Sequence, residues 1–178
     1  MSVSELSTST QNYLKAIWGL KEWSSEPVTA TLIAKQLGLK LSSVSDAVRK
    51  MAKQGLVSHT PYGSVELTEL GRQYALVMVR RHRLLESFLV QALGYTWDEV
   101  HNEAENLEHA VSDMLIERVD KFLDYPTRDP HGDPIPTVDG QITIPSAHRL
   151  TDSGAQSQVT VERISDSDPQ LLKFLEER

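Results

Sequence analysis

Gly38 sits between two short segments that each carry apolar residues at helical spacing, and that junction restricts the possible folds more than any other feature. The first segment, residues 28–37, runs into Leu37-Gly38, where a residue with positive φ stops a helix and turns the chain. The second, residues 41–51, is apolar at Val44, Val48 and Met51 and opens on Ser42-Ser43, which read as its cap. A helix over 9–23 precedes them, with Tyr13, Leu14, Ile17, Trp18 and Leu20 on one side behind a Ser/Thr-rich start. After Gln54-Gly55 the pattern changes to period two, and 56–60 and 64–68 read as strands around Pro61-Tyr62-Gly63. Helix, glycine turn, helix and a two-stranded wing in this order make a winged helix-turn-helix, and the partner such a module implies is double-stranded DNA. We assign it to residues 1–74.

In this motif the start of the second helix faces the major groove, which singles out Ser42, Ser43, Ser45 and Asp46, followed by Arg49 and Lys50. Small hydroxyls permit close approach, Asp46 can accept from cytosine N4, and Arg49 and Lys50 suit phosphates. Taken singly, the serines fit helix capping as well as they fit DNA. Tyr62 and Ser64 in the wing are either minor-groove or phosphate contacts, or an ordinary exposed turn. The net charge of -7 argues against a nucleic-acid binder only until its distribution is read. Residues 1–75 hold eight Lys/Arg against six acids, so the negative surplus lies in the remainder.

Ahead of that remainder, Thr68-Glu69-Leu70-Gly71-Arg72 caps a long helix that runs to about Leu93, where Gly94 stops it. An amphipathic helical region follows over 97 to about 123, with Val100, Leu107, Val111, Leu115, Val119 and Phe122 in a stripe that leaves a face for a second subunit. His82 and Glu86 lie on the first of these helices, and His101, Glu105, Glu108 and His109 on the second. At about 100° per residue the last four project into one sector. A single Glu/His pair at i,i+4 is commonly a solvated surface pair. Six such residues on adjacent helices instead favour a cation, because gathered carboxylates repel without one. The chain has no cysteine, so disulfides and thiolate zinc sites are excluded. Carboxylate and imidazole donors suit Mn(II) or Fe(II), with Zn(II) or Co(II) also binding in vitro. From Pro126 a turn-rich connector begins, 158–164 alternates like a strand, and 169–177 resembles a short helix. No run of about 18 apolar residues and no signal peptide are present, giving the expectation of a cytoplasmic protein with no membrane partner.

The stretches QNYLKAIW, SSVSDAVRKMAKQGLV, LTELGR, RRHRLLESFL, VHNEAENLEHAVSD and HGDPIP resemble the diphtheria-toxin-repressor family of iron- and manganese-dependent regulators, in its manganese-responsive branch. The resemblance implies a mainly α fold: the winged domain, an all-α dimerisation and metal-binding domain over 75–145, and over 146–178 a linker with the β-containing start of an SH3-like domain. It also implies a primary metal site of Glu105, Glu108 and His109 joined by Asn12, and a second of His82, Glu86 and His101. Asp129 and His131 lie where some relatives carry further ligands, and Asp168 lies near a ligand of the C-terminal domain. Iron sensors of the family have a cysteine where this chain has Glu105, which favours manganese. Asn12 departs from the methionine or aspartate usual at its position and adds no charge.

The function so implied is not an enzyme's. It is a homodimeric repressor of metal-homeostasis genes that binds a near-palindromic operator when Mn(II) is bound, or, as the alternative, an Fe(II)-dependent repressor of iron uptake. A di-metal carboxylate enzyme would need Glu-x-x-His on two helices, of which one is in sight, and leaves the wing without a role. A helix-turn-helix regulator answering an organic ligand is the other rival.

Overall fold

The computed structural model describes residues 3–60, 63–166 and 168–176 and is mainly helical, with one two-stranded sheet. The chain forms two compact units, Met1–Val79 and Arg80–Arg178.

In the first unit, α1 (Thr8–Glu22) starts at Ser7, whose side chain accepts from Thr10 N at 3.3 Å. Helix α2 (Ala30–Leu37) starts in the same way at Thr29. It ends at Gly38, whose φ of 63° lets Leu39 N reach back to Ala34 O at 2.9 Å. Helix α3 (Leu41–Lys53) begins two residues earlier than a cap at Ser42 would place it. Its N-cap is Lys40, which makes no side-chain cap, so Ser42 and Ser43 lie exposed inside the first turn rather than capping it. The glycine turn fixes this start, because Gly38 and Leu39 complete the end of α2 and leave Lys40 as the last extended residue. Strands β1 (Val57–His59) and β2 (Val65–Leu67) pair antiparallel with Val57 opposite Leu67.

Leu14, Ile17, Ile33, Val44, Val48, Met51, Leu56 and Val65 build the core of this unit. Helix α4 (Glu69–Leu93) enters it at Gly71, where a Cβ would stand 1.9 Å from Leu56 O. Only hydrogen fits at that crossing. Thr68 fixes the approach: its hydroxyl donates to Gly55 O at 2.7 Å and accepts from Gly71 N at 3.1 Å.

In the second unit, the rest of α4 packs with α5 (Trp97–Leu107) and α6 (Asp113–Phe122) around Leu84, Leu85, Leu89, Val100, Ala104, Ile116 and Val119. The helical region expected over 97–123 is therefore two helices. Ser112 accepts from Leu115 N at 3.2 Å and restarts the helix at Asp113. The break breaks the apolar stripe too: Val100 and Val119 are buried, whereas Leu115 and Phe122 are exposed. Helix α7 (Pro169–Glu176) packs on α5 through the buried Leu172. Residues 158–164 form no strand, because no neighbouring strand is there to pair with among the described residues. Single contacts hold the segment instead, with Ile164 N donating to His131 O at 2.9 Å and Arg128 Nη1 to Glu162 O at 3.1 Å. Among the described residues no helix is long and apolar enough to cross a membrane.

Candidate metal centre and nucleic-acid interface

The polar centre of the second unit grows from one turn of α4. His82 and Glu86, four residues apart, place Nε2 and Oε1 3.0 Å from each other. Helix α5 brings His101 against them, its Nδ1 3.2 Å from His82 Nε2 and 3.4 Å from Glu86 Oε1. Asp166 closes the group, with Oδ2 3.1 Å from His101 Nδ1. On the other side of the His82 ring, Nδ1 meets Glu108 Oε2 at 2.6 Å. A carboxylate on Nδ1 fixes the ring orientation and leaves Nε2 toward Glu86 and His101, an arrangement typical of ligating histidines. Glu105 Oε1 lies 3.8 Å from His101 Nε2, and His109 Nε2 lies 3.4 Å from Glu108 Oε1.

A third group adjoins from the connector. His131 Nε2 is 3.1 Å from Trp97 O, which can only accept, so Nε2 carries a proton, and Nδ1 lies 3.9 Å from Glu86 Oε2. Asp129 Oδ1 accepts from the backbone N–H groups of His131 and Asp133, both at 2.9 Å, which makes a rigid turn of the HGDP segment.

Three overlapping sets result, in each of which the donor atoms lie within 4.8 Å of one another: His82, Glu86, His101 and Asp166; His82, Glu105 and Glu108; and Glu86, Asp129 and His131. Glu86, Glu108 and Asp129 are all buried. Burial raises a carboxylate pKa, yet His82, His101 and His131 together hold Glu86 well below the usual range. Burial alone would lower the pKa of His101, but its hydrogen bonds to the Asp166 and Glu86 carboxylates push it up to about 10. Burial raises Asp166 in turn, and the His101 hydrogen bond outweighs it and lowers the pKa. Burial and the neighbouring charges of Glu86 and Asp133 raise Asp129, against the pull of Arg83. At His101 a proton on imidazole therefore balances the adjoining carboxylates Glu86 and Asp166.

Seven residues singled out in the sequence thus sit in or beside this centre: His82, Glu86, His101, Glu105, Glu108, Asp129 and His131, with His109 against Glu108. Asp168 is not among them. Its Oδ1 accepts from Gln170 N and Leu171 N at 3.0 and 3.1 Å, so it caps α7. Asp166, two residues earlier, takes the place beside His101. Asn12 lies on α1 in the first unit, its Oδ1 buried and accepting no hydrogen bond.

On α3 five of the six residues singled out for DNA are exposed, and so are Leu41 and Lys53. Ser42, Ser43, Asp46, Arg49 and Lys50 are exposed, while Val44, Val48 and Met51 anchor the opposite side in the core. Arg49 pairs with Asp46 on the surface. Ser45 is turned back onto its own helix, donating to Leu41 O at 2.9 Å. Ser64 follows the wing turn, with Oγ 3.4 Å from Glu66 Oε1, and Tyr62 lies outside the described residues.

Residues 5–65 match the family described as "Iron dependent repressor, N-terminal DNA binding domain", and residues 68–137 match "Iron dependent repressor, metal binding and dimerisation domain". The chain belongs to the iron-dependent repressor family. Among family members, the iron-dependent repressor IdeR of Mycobacterium tuberculosis is 40% identical over 134 residues, which are 75% of this chain and 58% of that protein. The diphtheria toxin repressor of Corynebacterium diphtheriae is 36% identical over 137 residues, 77% of this chain and 60% of that protein. A solved manganese-dependent transcriptional repressor in complex with manganese superposes with a TM-score of 0.90 at 54% identity, covering 94% of this chain and 77% of that one. ScaR with bound cadmium gives 0.80 at 33% identity, covering 94% and 78%. The winged-helix and dimerisation-domain architecture of the family is the one observed in this chain.

Proposed function

We propose that this family member is a manganese-activated transcriptional repressor that binds a near-palindromic operator as a homodimer and acts in the cytoplasm, with no catalytic activity. The observation that carries the reading is the donor set: carboxylates and imidazoles, most of them buried, gathered into three overlapping groups, with no thiolate anywhere in the chain. Such a set fits Mn(II) or Fe(II), which favour mixed oxygen and nitrogen shells. His82, Glu86, His101 and Asp166 would hold one ion, with Asp129 and His131 extending the site from Glu86. Glu105, Glu108 and His109 would provide the other, with Asn12 added to that set on the family resemblance. When bound, the cation supplies positive charge to donors that otherwise need protons to coexist.

The chain's own residues do the rest. Glu108 holds the His82 tautomer, the Asp129 turn holds His131, and α3 offers Ser42, Ser43, Asp46, Arg49 and Lys50 to the groove, with Ser64 in the wing. Regulation is a linkage: a ligand that binds one arrangement better shifts the population toward it. Exposed Leu115, Phe122 and Met114 on α6 suit a face covered by a second copy. Glu105, an acid in the second set, supports manganese. Iron is the second reading, favoured by the iron-dependent relatives named above. Selection from a random-sequence DNA pool tests the function: near-palindromic sites should be enriched with Mn(II), and equal enrichment in chelator would overturn metal activation.

A further inference from the structure

The first unit contains a cleft of about 380 Å³ that the metal reading does not use and that meets the DNA reading only at Ser64. Ile17, Trp18, Val65 and Leu67 form its apolar walls, and it holds two cations, Lys21 and Arg72, against one acid, Glu66. Its volume is within the range of small-molecule sites, and apolar walls with a few polar groups are their usual composition. The second observation is at Trp18. Its indole N–H is buried and donates to nothing, an expensive state for a donor in a folded protein. The Arg72 guanidinium lies 5.6 Å from the centre of the same ring. Among the described residues neither cation is tied to a close carboxylate: Lys21 donates to Ser25 O at 3.3 Å, and Arg72 stands 3.9 Å from Glu69.

We propose that this cleft binds a small amphipathic carboxylate, its aromatic or branched body against Trp18 and Leu67 and its anionic end toward Lys21 and Arg72. The ligand would cover the apolar walls and offset the charge excess together. The inference does not depend on which metal the second unit takes.

The test follows the indole N–H resonances of the full-length, metal-free chain by ¹H–¹⁵N NMR, with Trp18→Phe assigning one of the three. Phenylacetate and indole-3-acetate are the probes, and phenylacetamide and indole-3-acetamide their uncharged counterparts. The Trp18 resonance should move saturably with the acids, with an affinity about tenfold above the amides. Arg72→Gln should weaken the acids about tenfold and leave the amides unchanged. Leu67→Trp should fill the cleft and abolish binding, and if it fails to fold, Arg72→Gln decides. No saturable movement up to the solubility limit, or equal movement of Trp23 and Trp97, overturns the site. Equal affinity for acids and amides overturns the carboxylate.

Discussion

Replacing Glu86 by Gln separates a metal ligand from a structural buried charge. The carboxylate is 1% exposed and faces His82 at 3.0 Å, His101 at 3.4 Å and His131 at 3.9 Å. In the metal-free protein the change removes two charge-assisted interactions, each worth ~1.5–3 kcal/mol. It also relieves the desolvation of a buried anion, a penalty of several kcal/mol, so the two effects nearly cancel. The expected net loss of stability is ~0–2 kcal/mol, a fall of no more than ~15 °C in Tm for a unit of this size. Metal binding has no such compensation, because the amide offers an oxygen without charge. A loss of at least ~2 kcal/mol, the lower end for truncating one partner of a buried charge pair, corresponds to ~30-fold weaker Mn(II) binding. The free-Mn(II) electron paramagnetic resonance signal measures the affinity, and calorimetry on the metal-free variant measures the fold. A Kd within ~3-fold of the parent, with Tm lowered as above, would falsify the assignment of Glu86 as a ligand.

His101, raised to about 10, is protonated at neutral pH and must lose that proton to ligate, so Mn(II) affinity should rise with pH between 7 and 9. A flat profile in that range excludes His101 from the ligands. Because its folded pKa is above the unfolded value of about 6.5, the stability it contributes to the metal-free protein is present below that pH and is lost as pH rises toward 10. Denaturant melts at pH 6.5 and 9.5 should show the fall. Gly71→Ala drives a methyl onto Leu56 O and should cost ~2 kcal/mol or more. Gly19→Ala, with nothing within 4 Å of its Cβ, should gain ~0.5–1 kcal/mol, and equal effects in thermal melts would refute the close-approach argument. Arg49→Ala should weaken DNA binding across sequences and reduce the slope of log K against log salt by ~0.9, and an unchanged slope removes Arg49 from the phosphate contacts.

The local features were legible because local chemistry decides them. Gly38 ends α2 as its position predicts, and Thr68 before Glu69 marks the start of α4. The donor residues on α4 and α5 were found by spacing, although the second set was read on a helix that actually ends at Leu107. Glu108 keeps helical dihedrals as the C-cap, which is why the spacing argument still worked for it. Ser112-Asp113 carried the signal for the break, a capping residue followed by an acid in the first turn. Two readings needed tertiary information. Asp166 meets His101 across 65 positions, which no periodicity records, and Asp168, two residues later, accepts from backbone N–H groups at the start of α7. Val159 and Val161 alternate like a strand, yet backbone pairing requires a neighbour the described residues do not supply.

The central claim is that metal occupancy controls DNA binding. Its most direct measurement is the anisotropy of a labelled operator duplex, selected as above, with the chain titrated under chelator and then under Mn(II), anaerobic Fe(II) and Zn(II). The account predicts no specific binding in chelator and saturable binding with micromolar Mn(II), lost again when chelator is added. Specific binding of equal affinity with and without metal would contradict it.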